Sequence, residues 1–275
     1  MASVRVIPVI LLKNGRVVQS KSFSRHQVLG NASLIVSRFS NWYADELIYL
    51  DISRHKHYDL KRDDLNFENK STILEIIEDC SRQCFMPLTV GGGIRTVKDV
   101  EDRLRSGADK VAINSEAFRN PALIKECAKR FGSQCIVVSI DAKKISNNSW
   151  EVFVGYGKEP TGEHPDEWAK KMQAMGAGEI IINSIDQDGR GKGFDVDLVR
   201  SVVEAVEIPV IALGGAGEWR HFAECLDLAY PNAVAASNIF QYTENSVYNA
   251  NKYLFEQNYK VRKPFIKTII AAGDN

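Results

Sequence analysis

Short apolar runs recur along the chain and alternate with longer stretches whose apolar residues return every three to four positions. The runs at residues 5–12, 46–52, 87–90, 110–113, 135–140, 179–183, 209–213 and 233–236 are apolar on both faces. That pattern suits strands of a parallel sheet covered on both sides, not the alternating pattern of a half-exposed one. Between them, 33–43, 72–82, 96–106, 121–131, 166–175, 197–206, 219–228 and 244–257 read as amphipathic helices. Pro121 falls in a first helical turn, where its missing N–H costs nothing. Eight strand–helix units predict an α/β protein built as a single (β/α)8 TIM barrel, residues 1–275. An open doubly wound sheet is the alternative, and eight regular units suit it less well.

The pattern also repeats. LTVGGGIRTVKD (88–99) and VIALGGAGEWRH (210–221) read as matching strand–glycine–helix units, and DELIYLDI matches GEIIINSID. Gly92-Gly93 is followed 22 residues later by Asn114-Ser115, and Gly214-Gly215 by Ala236-Ser237 at the same spacing. The barrel therefore reads as two half-barrel repeats. The first half carries an extra polar piece at about 53–70, SRHKHYDLKRDDLNFENK, placed by its position at the functional rim. His55 and His57 lie in it. No further ligand stands at a fixed spacing, so solvated loop histidines are the simpler reading than a metal site.

Composition narrows the partners. Lys plus Arg equals Asp plus Glu at 35 each, which gives no electrostatic case for nucleic acid or an anionic membrane. No apolar run approaches the roughly 20 residues needed to cross a bilayer. MASVRVIPVILLKNG reads as a first strand and not as a signal peptide. The five cysteines form no C-x-x-C pair and are expected as free thiols in a cytoplasmic protein. No metal or redox cofactor is expected.

In such a barrel the loops after the strands build the active face. Glycines there let backbone N–H groups approach an anion, and a following helix start adds a favourable dipole. GGGIRT with Asn114-Ser115 forms one candidate phosphate cradle. GGAGEW with Ala236-Ser237, joined by Asp188-Gly189 from IDQDGRGKGFD, forms the other. A single glycine pair is weak evidence; two related by the repeat suggest a ligand phosphorylated at both ends. Asp141 ends an apolar strand and is a candidate general acid or base. Asp51 and Asp186 end the second and sixth strands symmetrically, and a symmetric pair more often holds loops. Aligning VILLKNG with VSIDAKK puts Leu11 opposite Asp141, so one half offers a carboxylate where the other offers an isobutyl group.

LTVGGGIRTVKD, GADKVAINSEAFRNP, VSIDAKK, GAGEIIINSIDQDGRGKGFD, IPVIALGGAG and AVAASNIF together resemble the cyclase subunit of imidazole glycerol phosphate synthase, over about residues 4–258. The sister isomerase of histidine biosynthesis shares the half-barrel pattern, but GADKVAIN and SIDQDG favour the cyclase side. The resemblance implies phosphate binding at Gly93, Asn114 and Ser115 in one half. In the other it implies Asp188, Gly189, Gly215, Ala236 and Ser237. It implies a glutaminase partner in a heterodimer docked on the N-terminal face of the barrel, with Asp109 and Gln134 near the interface. Arg5, Glu46, Lys110 and Glu179 match a charged ring that gates ammonia entering the barrel. The family reaction uses two aspartates, of which one matches Asp141 and the other falls on Leu11. Further departures are Gln19 for a lysine, Asn31 for an aspartate and Asn183 for a threonine.

Leucine cannot carry a proton, so the resemblance implies a relative that keeps the gate and the dock and loses the cyclase step. Such relatives pass ammonia to a separate amidotransferase in acetamidino-sugar synthesis for surface polysaccharides. The 53–70 insertion is a candidate contact for that enzyme. The alternative is a working cyclase of histidine biosynthesis, which both cradles and Asp141 favour and Leu11 opposes. A phosphosugar isomerase is the third reading, and the ammonia gate argues against it.

Overall fold

A computed structural model describes residues 3–21, 23–42, 44–58, 70–83, 85–242 and 244–264, with the side chain of Ser33 set aside. The chain begins with β1 (Arg5–Lys13), β2 (Arg16–Lys21), β3 (Arg25–Asn31) and α1 (Ala32–Asn41). Then come β4 (Leu47–Asp51), α2 (Ile73–Ser81), β5 (Leu88–Gly91), α3 (Val97–Arg105), β6 (Lys110–Ile113), α4 (Ser115–Arg119) and α5 (Ala122–Phe131). The second half mirrors the first: β7 (Ile136–Ser146), β8 (Ser149–Val154), β9 (Glu159–Pro160), α6 (Pro165–Ala174), β10 (Glu179–Ser184) and α7 (Val196–Ala205). It closes with β11 (Val210–Leu213), α8 (Trp219–Ala229), β12 (Ala233–Ala236) and α9 (Ser246–Glu256).

Strands β1, β4, β5, β6, β7, β10, β11 and β12 pair in parallel in that order, and β12 returns to β1. This is the closed (β/α)8 barrel. Strands β1 and β7, the first of each half, stand opposite one another. Alternate residues of each strand divide between two cores. Val6, Ile10 and Leu12 pack outward against the helices. Ile7 and Val9 point into the lumen with Ile48, Ala112, Val137, Ile181, Ile211, Ala233 and Ala235. Both sets are shielded from water, which is why the strands read as unbroken apolar runs. Capping fixes where helices begin. Thr96 and Asp99 form a reciprocal capping box at the start of α3, and the Asp195 carboxylate accepts from the Leu198 N–H at the start of α7.

Three features differ from the sequence reading. The segment after β1 is not a loop: Asn14 and Gly15, both with positive φ, turn the chain into the β2–β3 hairpin. A matching excursion, β8–β9, follows β7 through a turn at Asn148. Cys135 ends a short 3-10 turn ahead of β7 and does not begin the strand. Cys80, Cys127, Cys135 and Cys225 are free thiols, and Cys84 lies outside the described residues. The stem of the 53–70 insertion is built by Tyr58 N–H donating to the Ser71 carbonyl and by a His57–Thr72 bridge; 59–69 lie outside the described residues.

Candidate functional site at the barrel mouth and charged ring at its base

The C-terminal ends of the strands open into a cavity of about 930 Å³. Its floor is apolar: Val9, Leu11, Leu50, Ala112 and Leu213. Leu11 pairs in register with Leu50 and packs on the lumen cluster, so this side of the mouth is hydrocarbon. Opposite, on β7, Asp141 faces the same cavity. Asn114 Nδ2 donates to one of its oxygens at 2.9 Å and Asn183 Nδ2 to the other at 3.0 Å. Asn114 follows β6 and Asn183 pairs with Asp141 in β10, so the strands flanking β7 hold the carboxyl from both sides. Burial pushes the Asp141 pKa up, against the pull of the two amide donors, to about 6. A carboxyl so tuned can exchange a proton near neutrality. Leu11 cannot be its partner. Lys13, the next residue on that face of β1, reaches the cavity with its Nζ 3.4 Å from His26 Nδ1.

The first cradle is open to the cavity through Gly92, Gly93, Asn114 and Ser115. Gly92 has φ +102°, and a Cβ there would lie 2.0 Å from the Asp51 carbonyl oxygen, so only glycine fits. Buried Arg103 fixes this turn: its Nη2 donates to the Gly92 carbonyl at 2.7 Å and its Nη1 to the Asp99 carbonyl at 2.9 Å. No periodicity or motif singled out Arg103, which shares the buried face of α3 with Asp99 and Val100. Ser115 Oγ donates to Asn114 Oδ1 and accepts from Gly155 N–H, which ties the cradle to the β8–β9 excursion. Asp51 and Asp186 do hold loops. Asp51 accepts from Tyr58 O–H and Ser53 N–H, and Asp186 from Lys144 N–H.

Of the second cradle, Asp188 and Ser237 line the cavity and Gly189, Gly215 and Ala236 do not. The β2–β3 hairpin is fastened here. Asp188 accepts from Ser20 O–H at 2.8 Å and from Phe23 N–H at 3.1 Å, and Asn238 Nδ2 donates to the Ser20 carbonyl at 2.8 Å. Gly189 lies so close to that carbonyl that a Cβ would come within 2.3 Å of it. Ser237 Oγ and Asn183 Oδ1 are buried without a hydrogen-bond partner in the structure.

At the other end of the lumen, Arg5, Glu46, Lys110 and Glu179 close into a ring. Arg5 donates to Glu46 at 2.7 Å and to Glu179 at 2.5 Å; Lys110 lies 3.1 Å from Glu46 and 2.8 Å from Glu179. Thr89 O–H adds a 2.6 Å bond to Glu46. Burial works against the Arg5 charge, but Glu179 and Glu46 outweigh it and raise its pKa. Asp109 and Gln134 are exposed and precede β6 and β7, on the rim of this same face. The rim also exposes Phe85 (93%), Tyr230 and Leu228, which the sequence reading did not single out.

No group of three or more His, Cys, Asp or Glu side chains among the described residues is placed to hold a metal, and no described helix is long and apolar enough to cross a membrane. The fold and its mouth define a (β/α)8 barrel with glycine loops repeated in its two halves. A family model described as "Histidine biosynthesis protein" matches residues 5–245, and the chain belongs to that family.

Proposed function

We propose that this barrel receives ammonia from a glutaminase docked on its lower face and passes it to the mouth, without performing the two-carboxylate cyclisation. The observation that carries the reading is the contrast between its ends. The charged ring is complete below, while above, Leu11 stands across the barrel from Asp141, and the nearby acids Asp51 and Asp188 are held by the chain's own donors.

The chemistry follows from the lining. Between the ring and the mouth, the lumen is walled by Ile7, Ile48, Val137, Ile181 and Ile211, with the smaller Ala112, Ala233 and Ala235. An ammonium ion entering this region would lose its hydration with no partner to replace it, whereas neutral ammonia loses little. The ring admits a small neutral molecule only when one of its cations swings aside, because every carboxylate there already holds two cations. Exposed Phe85, Leu228 and Tyr230 supply apolar anchors of the kind that centre protein interfaces. On this reading the nitrogen acceptor sits on a separate amidotransferase, for an acetamidino sugar, the role that the sequence resemblance suggests.

Asp141 supports a second reading. Its raised pKa and the open first cradle suit a cyclase working with one carboxyl. The two readings share the lower face, which can be tested directly. Mixed with the glutaminase subunit of an imidazole glycerol phosphate synthase, the chain should elute from a sizing column as a heterodimer, and Phe85→Glu with Tyr230→Glu should abolish it. A monomer at micromolar concentrations of both proteins would sink the docking reading.

A further inference from the structure

Four cations of the mouth are gathered on one side, and Lys13 at the end of β1 stands apart from them. Arg54 follows β4, Arg95 follows β5, Arg119 ends α4 after β6, and Lys158 lies in the excursion after β7; all four line the cavity. They form an arc around the first cradle. Residues that line the cavity from beyond β10, β11 and β12 are Asn183, Asp188, Leu213 and Ser237, with no cation among them.

The acids of the mouth are largely committed to the chain's own donors. Asp51 holds Tyr58 and Ser53, Asp141 holds two amides, Asp188 holds Ser20 and Phe23, and Glu159 pairs with Arg119. Arg54, Arg95 and Lys158 make no ion pair among the described residues. Glu116, beside Ser115, also lines the cavity without an ion pair among the described residues, so the uncommitted charge beside Gly93 and Ser115 is positive on balance, three cations to one carboxylate. A second phosphate across the mouth would instead meet the Asp188 carboxylate and the strapped hairpin. What that side offers is neutral: Ser237 and Asn183 line the cavity there, and Ser237 Oγ and Asn183 Oδ1 are buried without a partner.

From this asymmetry we infer that the mouth takes a pyrophosphate ester of a polyhydroxylated compound, with the pyrophosphate in the first cradle under the Arg54–Arg95–Lys158 arc. Its hydroxyl groups lie toward Ser237 and Asn183. Arginine forks suit adjacent phosphoryl oxygens, and a focused field favours an anion with its charge at one end. The inference rests on the mouth being a phosphate site and not on ammonia delivery, so either can fail alone.

Isothermal titration of the purified chain tests it, with inorganic phosphate, inorganic pyrophosphate, ribulose 1,5-bisphosphate and UDP-glucose as probes. Pyrophosphate should bind at least about tenfold more tightly than phosphate or the separated bisphosphate. UDP-glucose should bind at least as well as pyrophosphate and lose affinity in Ser237→Ala. Arg54→Ala with Arg95→Ala should weaken pyrophosphate by at least about tenfold, while Arg190→Ala with Lys192→Ala, on the loop outside the cavity, should not. Circular dichroism of each variant establishes that it is folded. Equal or tighter binding of the separated bisphosphate, indifference to the Arg54 and Arg95 changes, or no binding of any probe would each overturn the assignment.

Discussion

Replacing Glu46 with alanine perturbs the charged ring where its bonding is densest. The substitution removes the acceptor of Arg5 at 2.7 Å, of Lys110 at 3.1 and 3.2 Å and of Thr89 at 2.6 Å. Breaking a buried ion pair by deleting one partner costs about 3–5 kcal/mol. Arg5 and Lys110 each keep Glu179, and their side chains are 25% and 21% exposed, so water recovers part of the loss. About 2–3 kcal/mol is then expected. At about 2 °C per kcal/mol for a chain of this size, the thermal midpoint should fall by about 4–6 °C. Replacing the whole ring at once, by Arg5→Met, Glu46→Leu, Lys110→Met and Glu179→Leu, leaves no orphaned charge and should return the midpoint to near or above the parent value. Differential scanning calorimetry reads both. A Glu46→Ala midpoint within about 1 °C of the parent would refute the idea that these four charges act as one buried network.

Asp141 makes a pH-dependent prediction. Its pKa is raised from 3.8 to about 6, so the native chain binds this proton more tightly than the unfolded chain, and its contribution to stability is lost as pH rises through about 6. The loss is on the order of 3 kcal/mol. Asp141→Asn carries no such charge, so urea unfolding should show the variant gaining about 2–3 kcal/mol relative to the parent between pH 4 and pH 8; a gap independent of pH would contradict the burial argument. Arg103→Met should free the Gly92 carbonyl and weaken phosphate binding at the first cradle by about tenfold while the chain stays folded, as titration calorimetry would show. Asp99 is also buried, but Lys56, the Arg95 N–H and the Thr96 hydroxyl hold its pKa down to about 2, so its share of stability is present above about pH 4 and lost as pH falls through about 2. Asp99→Ala should therefore destabilise the chain by about 1–2 kcal/mol at pH 7 and by less at pH 2, by urea unfolding.

The barrel was legible in the sequence because burial on both faces leaves an unmistakable mark. The runs at 110–113 and 233–236 match β6 and β12 residue for residue, and the other barrel strands agree within one residue at each end, except that β7 runs on from 140 to Ser146 into its hairpin. The hairpins were missed because β2 and β3 are short and partly exposed, and RVVQSK carries too few apolar residues to stand out. The Asn14-Gly15 pair was the available signal, since both residues of a tight hairpin turn need positive φ. The repeated spacing put the glycine loops at the C-terminal ends of their strands, where the structure has them, and the family resemblance pointed to Arg5, Glu46, Lys110 and Glu179, which the fold brings into mutual contact. The strap from Ser20 to Asp188 spans 168 residues of sequence and follows from no local pattern. The same holds for the amide clamp on Asp141, whose donors come from two different strands' ends.

The central claim is that Leu11 leaves the mouth without the second proton-transfer group that cyclisation needs. The direct measurement is turnover of the bisphosphorylated cyclase substrate by the purified chain at alkaline pH, with an ammonium salt supplying the nitrogen so that no glutaminase is required. Loss of one general acid or base costs about 10²–10⁴ in rate, so turnover should fall below that of an ordinary cyclase by at least that factor. Leu11→Asp should recover part of it. Turnover by the unaltered chain at the rate of an ordinary cyclase would contradict the claim and make the protein a cyclase that works with Asp141 alone.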